Sequence, residues 1–236
     1  MLATALSAWA RARRERRRDE ESSFIGGFYA VKKHKTSKDW MHEHVTDPFV
    51  QRAKAEGWRS RAAFKLMEID DKERLLYAGM VLVDLGSAPG GWSQVAAKRL
   101  AGRGTVVALD LLEMVPIQGV AFIRGDFHEA ATLDALEACL AARPVDLVIS
   151  DMAPNLSGIA SVDQARSVSL AELALEFAIR HLGREGALLV KMFQGEGFDG
   201  FRAAMGRAFA KVVVRKPSAS RGRSNEIYLL GRRRLP

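Results

Sequence analysis

A glycine-rich segment between an apolar run and a helix-like run constrains the fold of this chain more than any other feature. Residues 84–92 have the sequence Asp-Leu-Gly-Ser-Ala-Pro-Gly-Gly-Trp, with an apolar run at 80–83 before them and a helix-like run at 93–100 after them. A strand that ends in an acidic residue and a glycine turn, followed directly by a helix, is typical of an open α/β sheet that binds a nucleotide-like cofactor. Glycines let the backbone approach such a ligand without a clash at Cβ.

The spacing of the glycines limits the ligands that this turn suits. Glycines at positions 86, 90 and 91 do not match the dinucleotide pattern, and no Lys-Ser or Lys-Thr pair follows as in a phosphate-binding P-loop. Asp84, two residues before Gly86, would repel a pyrophosphate and would suit a cationic cofactor. S-adenosylmethionine has a sulfonium and an α-ammonium group and fits this description. An ordinary strand-to-helix turn without a ligand is the alternative for this segment taken alone.

Length and composition indicate a globular protein of a reducing compartment. The chain has 236 residues and is 48% hydrophobic, which is enough for one large α/β domain with a buried core. No apolar run approaches the roughly 20 residues that span a bilayer, so we expect no membrane association. The single cysteine, Cys139, excludes an internal disulfide and a cysteine-based zinc site. We expect Cys139 to be a buried helix residue, the protein to bind no metal, and its location to be cytoplasmic.

Positive charge is concentrated at the two ends of the chain. The net charge is +8; residues 1–40 have a net charge of +5 and residues 211–236 of +7, so the body between them has −4. Basic ends on a mildly acidic body favour a polyanionic partner, and nucleic acid is the commonest one. The alternative is a solvated surface that only improves solubility. We interpret residues 1–30 as a basic, disordered extension and residues 31–236 as a single domain.

Apolar and amphipathic runs alternate along most of the chain. Asp47-Pro48 is typical of a helix start, and Ser60 is expected to cap a second helix. Strands are then predicted at 80–85, 104–110, 120–124, 145–150, 186–192, 211–215 and 225–230, with helices at 91–100, 129–142, 162–182 and 198–209. Alternation at this spacing requires crossover connections and predicts a Rossmann-like α/β fold. We expect a seven-stranded, mostly parallel sheet whose last strand is antiparallel, because only a loop separates the last two strands.

Charged residues end or follow five of the predicted strands. They are Asp84, Asp110, Asp126, Asp151 and Lys191. Because ligands bind beyond the carboxyl ends of the strands in such sheets, we expect these side chains at one site. Asp110 follows the glycine turn by about 20 residues and is placed to accept two ribose hydroxyl groups. Asp126 is a candidate acceptor for an adenine amino group.

Four segments of the chain, taken together, form the pattern of a known family. They are Arg-Ser-Arg-Ala-Ala-Phe-Lys at 59–65, the glycine turn at 84–92, Ser-Asp-Met-Ala-Pro-Asn at 150–155 and Val-Lys-Met-Phe-Gln-Gly at 190–195. In this combination the chain resembles the FtsJ/RrmJ (RlmE) family of ribosomal RNA 2′-O-ribose methyltransferases. The resemblance extends from about residue 32 to residue 230. The chain departs from the family at Ser87, where alanine is usual, and in its long N-terminal extension.

The resemblance implies a fold, a cofactor and a set of site residues. It implies a Rossmann-like methyltransferase fold and S-adenosylmethionine as the methyl donor. The catalytic tetrad of the family matches Lys65, Asp151, Lys191 and Glu226 of this chain. The cofactor positions of the family match Gly90, Trp92, Asp110, Asp126 and Asp151. Asp84 and Gly86 of the glycine turn complete the expected cofactor site.

The chemistry of a ribose hydroxyl agrees with this resemblance. The hydroxyl is a weak nucleophile until its proton leaves, so methyl transfer needs a group close to the acceptor oxygen. Lys191 is the candidate base, and the alternative that it only orients the hydroxyl stays open. The fourth predicted strand does not end in the Asn/Asp-Pro-Pro-aromatic turn used on base amino groups, and carbon-5 methylation needs a nucleophilic cysteine. Oxygen methylation is therefore favoured.

Basic side chains near both ends of the chain are expected to bind the substrate. They are Lys32, Lys33, Lys35, Lys38, Arg59, Arg61, Lys211, Arg215, Lys216, Arg221 and Arg223. Such groups contact phosphates and contribute little sequence specificity. RNA is favoured over DNA because only RNA has a 2′-hydroxyl. The resemblance implies the A-loop uridine of large-subunit ribosomal RNA as the target, within the assembled large subunit, and we expect the protein to be a monomer.

Two other functions compete with this interpretation. A non-catalytic ribosome assembly factor would have the same fold and cofactor, and the intact tetrad argues against it. An NAD-dependent oxidoreductase is disfavoured by the glycine spacing.

Overall fold

The computed structural model describes residues 46–155, 157–220 and 224–236. The predicted extension at residues 1–30 lies outside the described residues. So do six of the basic residues predicted to bind RNA: Lys32, Lys33, Lys35, Lys38, Arg221 and Arg223.

Strands and helices alternate along the described residues. The strands are β1 (Val81–Leu85), β2 (Thr105–Asp110), β3 (Val120–Arg124), β4 (Val145–Ser150), β5 (Leu182–Phe193), β6 (Phe209–Arg215) and β7 (Glu226–Arg234). The helices are α1 (Pro48–Ala55), α2 (Ala62–Glu73), α3 (Gly91–Leu100), α4 (Ala130–Leu140), α5 (Ala160–His181) and α6 (Phe198–Ala208). Within these ranges, none of the helices combines the length and the apolar character that crossing a membrane requires.

The seven strands form one sheet in the order β3-β2-β1-β4-β5-β7-β6. The pairs β1–β2, β2–β3, β1–β4 and β4–β5 are parallel, whereas β7 is antiparallel to both β5 and β6. The predicted fold is confirmed: a Rossmann-like α/β sheet, mostly parallel, with the last strand antiparallel. The strand order reverses between β1 and β4, and a ligand crevice is expected at the carboxyl ends of these two strands.

Both faces of the sheet are covered, so the central strands are mostly apolar. All five residues of β1 are buried. Val81, Val83 and Leu85 belong to one hydrophobic cluster, and Leu82 belongs to the cluster on the other face. This alternation follows from the two-residue period of a strand.

One local prediction is confirmed: Asp47 caps α1, and its side chain accepts from the Phe49 amide at 2.9 Å.

Two other local predictions differ from the structure. The prediction for Ser60 is wrong, because the cap residue of α2 is Arg61 and the buried Ser60 hydroxyl has no partner in the described part of the chain. The prediction of a buried Cys139 is also wrong, because its side chain is exposed. The buried stripe of α4 is Thr132, Leu136 and Leu140, at four-residue spacing, and position 139 lies outside it.

A glycine of β7 gives a test of the packing behind the sheet. A Cβ at Gly231 would lie 2.5 Å from Cδ2 of Phe209 and 2.9 Å from Cε of Met205, and both of these side chains are buried. We expect Gly231→Ala to lower the free energy of unfolding by about 1–3 kcal/mol, because the added methyl overpacks a filled region. Urea denaturation monitored by circular dichroism measures the change.

The matched control is Gly206→Ala in α6, where a Cβ would meet nothing within 4 Å. Alanine is the better helix former, so this variant should gain up to about 1 kcal/mol. Equal effects of the two substitutions would contradict the packing described for Gly231.

Candidate active site

The carboxyl ends of β4 and β5 place two oppositely charged side chains next to each other. Ser150 of β4 and Val190 of β5 are register partners, and Asp151 and Lys191 follow them directly in the sequence. Nζ of Lys191 lies 3.1 Å from Oδ1 of Asp151 and also donates to the Asp151 carbonyl oxygen. Both side chains are largely withdrawn from solvent, with 7% and 18% of their surface exposed.

A second buried ion pair joins α2 to β7. Nζ of Lys65 lies 2.6 Å from Oε1 of Glu226, and the two side chains are 6% and 12% exposed. The same Oε1 accepts from the Ser220 hydroxyl at 2.9 Å. Lys65 and Glu226 are 161 positions apart in the sequence, so only the docking of α2 beside the end of β7 brings them together.

Tyr228 connects the two ion pairs. Its hydroxyl lies 2.8 Å from Oδ1 of Asp151 and 3.2 Å from Oε1 of Glu226, and the side chain is fully buried. The ring lies 5.8 Å from Nζ of Lys65 and 5.5 Å from the ring of Trp92. Sequence reasoning did not single out Tyr228. The available signal was its position two residues after Glu226 on a strand, which puts both side chains on the same face.

Burial and neighbouring charge act in opposite directions on the carboxyl group of Asp151. Burial raises its pKa, but the ammonium groups of Lys191 and Lys65 and the hydrogen bond from Tyr228 outweigh this effect, so the pKa lies below its ordinary value. Burial and the adjacent carboxylates of Asp151 and Glu226 raise the pKa of Tyr228 well above its ordinary value. The site therefore contains an ionised Asp151 and a protonated Tyr228 near neutral pH.

The loop between β6 and β7 is attached to α2 near this cluster. Its residue Ser218 donates from both its amide and its hydroxyl to Oε2 of Glu68 on α2. Ala219 is buried against Phe64 and Ala53. Ser220, the donor to Glu226, thus has a fixed position, and it is a second site residue that the sequence did not indicate.

The glycine turn lies at the carboxyl end of β1 and begins α3. Gly86 has φ +75°, and a Cβ there would lie 2.5 Å from Cγ of Met152, which follows Asp151. Gly90 has φ +106° and is the cap residue of α3. Both positions require a left-handed conformation that glycine adopts at least cost. Gly86 therefore lets the turn approach the segment after β4 closely, and Gly90 lets it approach Met114 and Arg59.

Asp84 lies behind this turn, at 0% exposure. Its Oδ2 accepts from the Ser93 hydroxyl at 2.6 Å, whereas Oδ1 has no hydrogen-bond partner in the described residues. Burial, the main cause, and the charges of Asp151 and Asp110 raise the pKa of Asp84 to about 7, against the hydrogen bond from Ser93. The buried hydroxyl of Ser87 likewise has no described partner.

Asp110 and Asp126 lie at the ends of the next two strands. Oδ2 of Asp110 accepts from the Ala88 amide and Oδ1 from the Leu112 amide, both at 2.8 Å. A carboxylate has about four acceptor positions, so each of these oxygens can accept a further donor. Hydrogen bonds from the His128 amide and ring hold the pKa of Asp126 below its ordinary value.

A cleft of about 200 Å³ connects the glycine turn with the ion pairs. Gly86, Ser87 and Trp92 of the turn region line it together with Lys65 and Asp151. Of the predicted cofactor positions, the cleft thus contains Gly86, Trp92 and Asp151, and of the tetrad Lys65 and Asp151. Asp84, Gly90, Asp110 and Asp126 are not among its lining residues, and the side chain of Asp84 is fully buried.

The described basic residues predicted to bind RNA have different surroundings. Arg61 pairs with Asp47 and Arg215 with Glu73, so both are engaged in ion pairs. Lys216, the first residue of the loop between β6 and β7, is exposed and donates to the Ser224 carbonyl at 2.8 Å. The guanidinium of Arg59 contacts backbone carbonyl groups.

Lys211 lies away from the tetrad. Its register partner on β7 is Arg232, whereas the register partner of Arg215 is Tyr228. Lys211 is therefore four strand residues, or about 13 Å, away from the position beside Tyr228.

Comparison with known proteins places these features in a family. The model of the FtsJ-like methyltransferases matches residues 58–234. The chain is similar to ribosomal RNA large subunit methyltransferase E of Azoarcus sp. (strain BH72), with 63% identity over 201 residues that cover 85% of this chain and 98% of that protein. The protein of the same name from Methylobacillus flagellatus is 60% identical over 204 residues, covering 86% of this chain and 99% of its own length. A crystal structure of a ribosomal RNA methyltransferase from Plasmodium falciparum is 28% identical, with a TM-score of 0.69 over 75% of this chain and 99% of that one.

The raised pKa of Asp84 predicts a pH-dependent stability. The folded protein holds a proton that the unfolded chain releases near pH 3.9. Its contribution to stability is therefore complete below that pH and is lost as the pH rises through about 7. Asp84→Asn removes this titration. We expect the free energy of unfolding of the wild type, relative to the variant, to fall by about 3 kcal/mol between about pH 4.5 and pH 7 and to level off above.

Urea denaturation of both proteins at each pH measures this difference, in which the titrations of all other groups cancel. A difference that does not change with pH would contradict the burial of an ionisable Asp84.

Proposed function

The chain belongs to the FtsJ-like methyltransferase family, and we propose that it transfers a methyl group from S-adenosylmethionine to the 2′-hydroxyl of a ribose in large-subunit ribosomal RNA. The proposed target is the A-loop uridine in the assembled large subunit. The proposal rests on one observation: two lysines and two carboxylates from four separate elements form two buried ion pairs, joined by one hydroxyl, beside a glycine turn. The names of the similar proteins support ribosomal RNA as the substrate.

The residues around the glycine turn fit S-adenosylmethionine. A side chain at position 86 would collide with Met152, so glycine lets the turn pack closely on the segment after β4 at the edge of the cleft. Ser87 lines the cleft, and its hydroxyl, which has no partner among the described residues, suits a polar group of the ligand. When bound, S-adenosylmethionine supplies an electrophilic methyl group on a sulfonium. The part of the cleft lined by Lys65 and Asp151 is the proposed location of the acceptor.

We assign the remaining cofactor contacts by donor and acceptor chemistry. Asp110 accepts from the ribose hydroxyl groups and Asp126 from the adenine amino group, since carboxylates accept two donors each in such positions. Trp92 forms the wall between the cofactor and Tyr228. Asp84 is buried behind the turn, and its proposed role is to interact at a distance with the positive charge of the cofactor.

Lys191 is the residue that we assign to the acceptor hydroxyl. Its Nζ is held by the carboxylate and the carbonyl oxygen of Asp151, which fixes its position at the edge of the sheet. In the proposed step Lys191 first releases one ammonium proton to solvent, and the resulting amine then takes the proton of the 2′-hydroxyl as the oxygen becomes nucleophilic. Holding the acceptor oxygen in line with the transferred methyl group is the larger part of the proposed catalysis, because correct positioning alone can contribute roughly 7–11 kcal/mol.

The other tetrad members position Lys191 and the acceptor. Asp151 orients Lys191, and its low pKa keeps it ionised in that role. Lys65, held by Glu226, lines the same cleft as Asp151 and donates to the acceptor ribose. Tyr228 keeps the two carboxylates at a fixed separation through one hydroxyl group.

The proposed partner is the large ribosomal subunit, and the proposed location is the cytoplasm. Lys216 is exposed in the loop that also carries Ser220 and suits a phosphate contact near the site. We propose that the enzyme acts as a monomer formed by residues 31–236.

Substitution of Lys191 tests the proposed reaction. Lys191→Ala and Lys191→Arg should both reduce methyl transfer by at least about a hundredfold, because alanine has no base and arginine does not lose its proton. Incorporation of tritium from labelled S-adenosylmethionine into undermethylated large subunits measures the rate. Mass spectrometry of the RNA identifies the modified nucleotide.

Calorimetry should show that both variants still bind S-adenosylmethionine. If the wild type binds the cofactor and the subunit but transfers no methyl group, the protein is an assembly factor instead. An active Lys191→Arg enzyme would assign Lys191 to orientation of the hydroxyl rather than to proton removal.

Substitution of Tyr228 tests the connection between the ion pairs. Tyr228→Phe removes the hydroxyl that contacts both carboxylates, and kcat should fall by roughly tenfold or more, whereas KM for the cofactor should change little. Steady-state methylation assays separate the two constants. The matched control is Tyr77→Phe, an exposed tyrosine just before β1, which should keep the wild-type kcat. Equal kcat values in the two variants would refute a role of the Tyr228 hydroxyl.

A further inference from the structure

Arg59 binds backbone carbonyl groups from two separate loops. Its guanidinium donates to the carbonyl oxygens of Pro89 at 3.3 Å and Pro116 at 2.8 Å, and also to that of Val115. Among residues 46–155, 157–220 and 224–236, no carboxylate forms an ion pair with it. The donors of this side chain are therefore directed at main-chain atoms.

Both loops belong to the proposed cofactor site. Pro89 directly precedes Gly90 in the glycine turn. Val115 and Pro116 lie in the loop 111–119, which leaves β2 directly after Asp110. Arg59 thus connects the two segments that border the cofactor on either side.

Besides Arg59, the loop 111–119 is held by the Leu112 amide on Asp110, by Arg124 on Leu111 and Glu113, and by Ile117 and Met114 against Gly90. Leu111, Leu112 and Val115 are 60%, 68% and 73% exposed, so they contribute little packing. Met114 is the buried exception, and it lies against Gly90, where a Cβ would be 2.8 Å from its sulfur. The contacts of Arg59 hold the loop in the position in which Met114 covers Gly90.

Arg59 itself is anchored to the helix that follows the glycine turn. Its amide donates to Oε1 of Gln94 on α3 at 3.0 Å, and Nε2 of Gln94 donates to the Gly57 carbonyl at 2.9 Å. Cδ of Arg59 would lie 3.0 Å from a Cβ at Gly90. The side chain is therefore fixed at both ends, by α3 and by the two loops.

We infer that Arg59 is a positioning residue that clamps the loop 111–119 onto the glycine turn and so shapes the cofactor pocket, and that its main role is not to contact RNA phosphates. The inference rests on the proposed function, because it assumes that this pocket binds S-adenosylmethionine. It replaces the sequence-based prediction for Arg59. An arginine suits this role because its planar guanidinium presents five donors in fixed directions, whereas a lysine has a single ammonium group.

The test compares cofactor binding with subunit binding in the full-length protein. Arg59→Ala should weaken the binding of S-adenosylmethionine, measured by calorimetry without RNA, by roughly tenfold or more. Its KM for the large subunit and the salt dependence of subunit binding should stay at the wild-type values. Arg59→Lys should not restore cofactor affinity, because one ammonium cannot reach three carbonyl groups on two loops.

The matched control is Lys216→Ala, in which an exposed cation near the site is lost. It should show the opposite pattern: weaker subunit binding with a smaller salt slope, and unchanged affinity for S-adenosylmethionine. Hydrogen exchange of residues 111–117 should be faster in Arg59→Ala than in the wild type and unchanged in Lys216→Ala.

The outcomes separate this inference from the proposed function. If the wild type binds no S-adenosylmethionine, the proposed function is wrong. If the wild type binds it and Arg59→Ala binds it equally well, only the inference about Arg59 is wrong. Recovery of subunit binding and activity by Arg59→Lys would also overturn it, since a phosphate contact accepts either cation. Should Arg59→Ala not fold, the cofactor affinity of Arg59→Lys decides.

Discussion

The pairing of buried charges at the edge of the sheet is the constraint on which the rest of the site depends. A charged side chain removed from water is strongly unfavourable unless an opposite charge and hydrogen bonds compensate it. Each lysine here has its carboxylate on a different element, Lys65 of α2 with Glu226 of β7, and Lys191 of β5 with Asp151 after β4. The cluster is therefore complete only when all four elements are in their final positions.

Two carboxyl groups of the site show how the surroundings set the chemistry of identical side chains. Asp84 and Asp151 are both buried, and burial alone raises the pKa of each. Asp151 has two ammonium groups and a phenol hydroxyl nearby, and its pKa is lowered. Asp84 has, among the described residues, hydrogen bonds from the hydroxyl and the amide of Ser93 and two further carboxylates nearby, and burial raises its pKa to about 7. Asp151 is thus ionised beside Lys191 near neutral pH, whereas the ionisation of Asp84 depends on the charges around it.

Much of the fold followed from patterns of apolar residues. The strands were predicted close to their observed positions because buried parallel strands are continuous apolar runs, and the charged residues at their ends led to the prediction of a site at the carboxyl edge of the sheet. Predictions from single residue types failed at two positions. Serine is a common helix cap, but α2 begins one residue later than predicted and its cap residue is Arg61, not Ser60. Cys139 is apolar enough for a core, but it lies off the buried stripe of its helix.

The sequence by itself determined the order of strands and helices, the glycine turn and the identity of the tetrad candidates, because these depend on residues close together in the chain or on a family pattern. Only the tertiary structure decided which side chains meet. Tyr228 and Ser220 became part of the cluster through the antiparallel register of β7 and the docking of its loop on α2. Arg59 was assigned to RNA from its charge, yet its guanidinium lies against three carbonyl groups of distant loops. Contacts of this kind depend on packing between segments far apart in the chain, and no local pattern of residues encodes them.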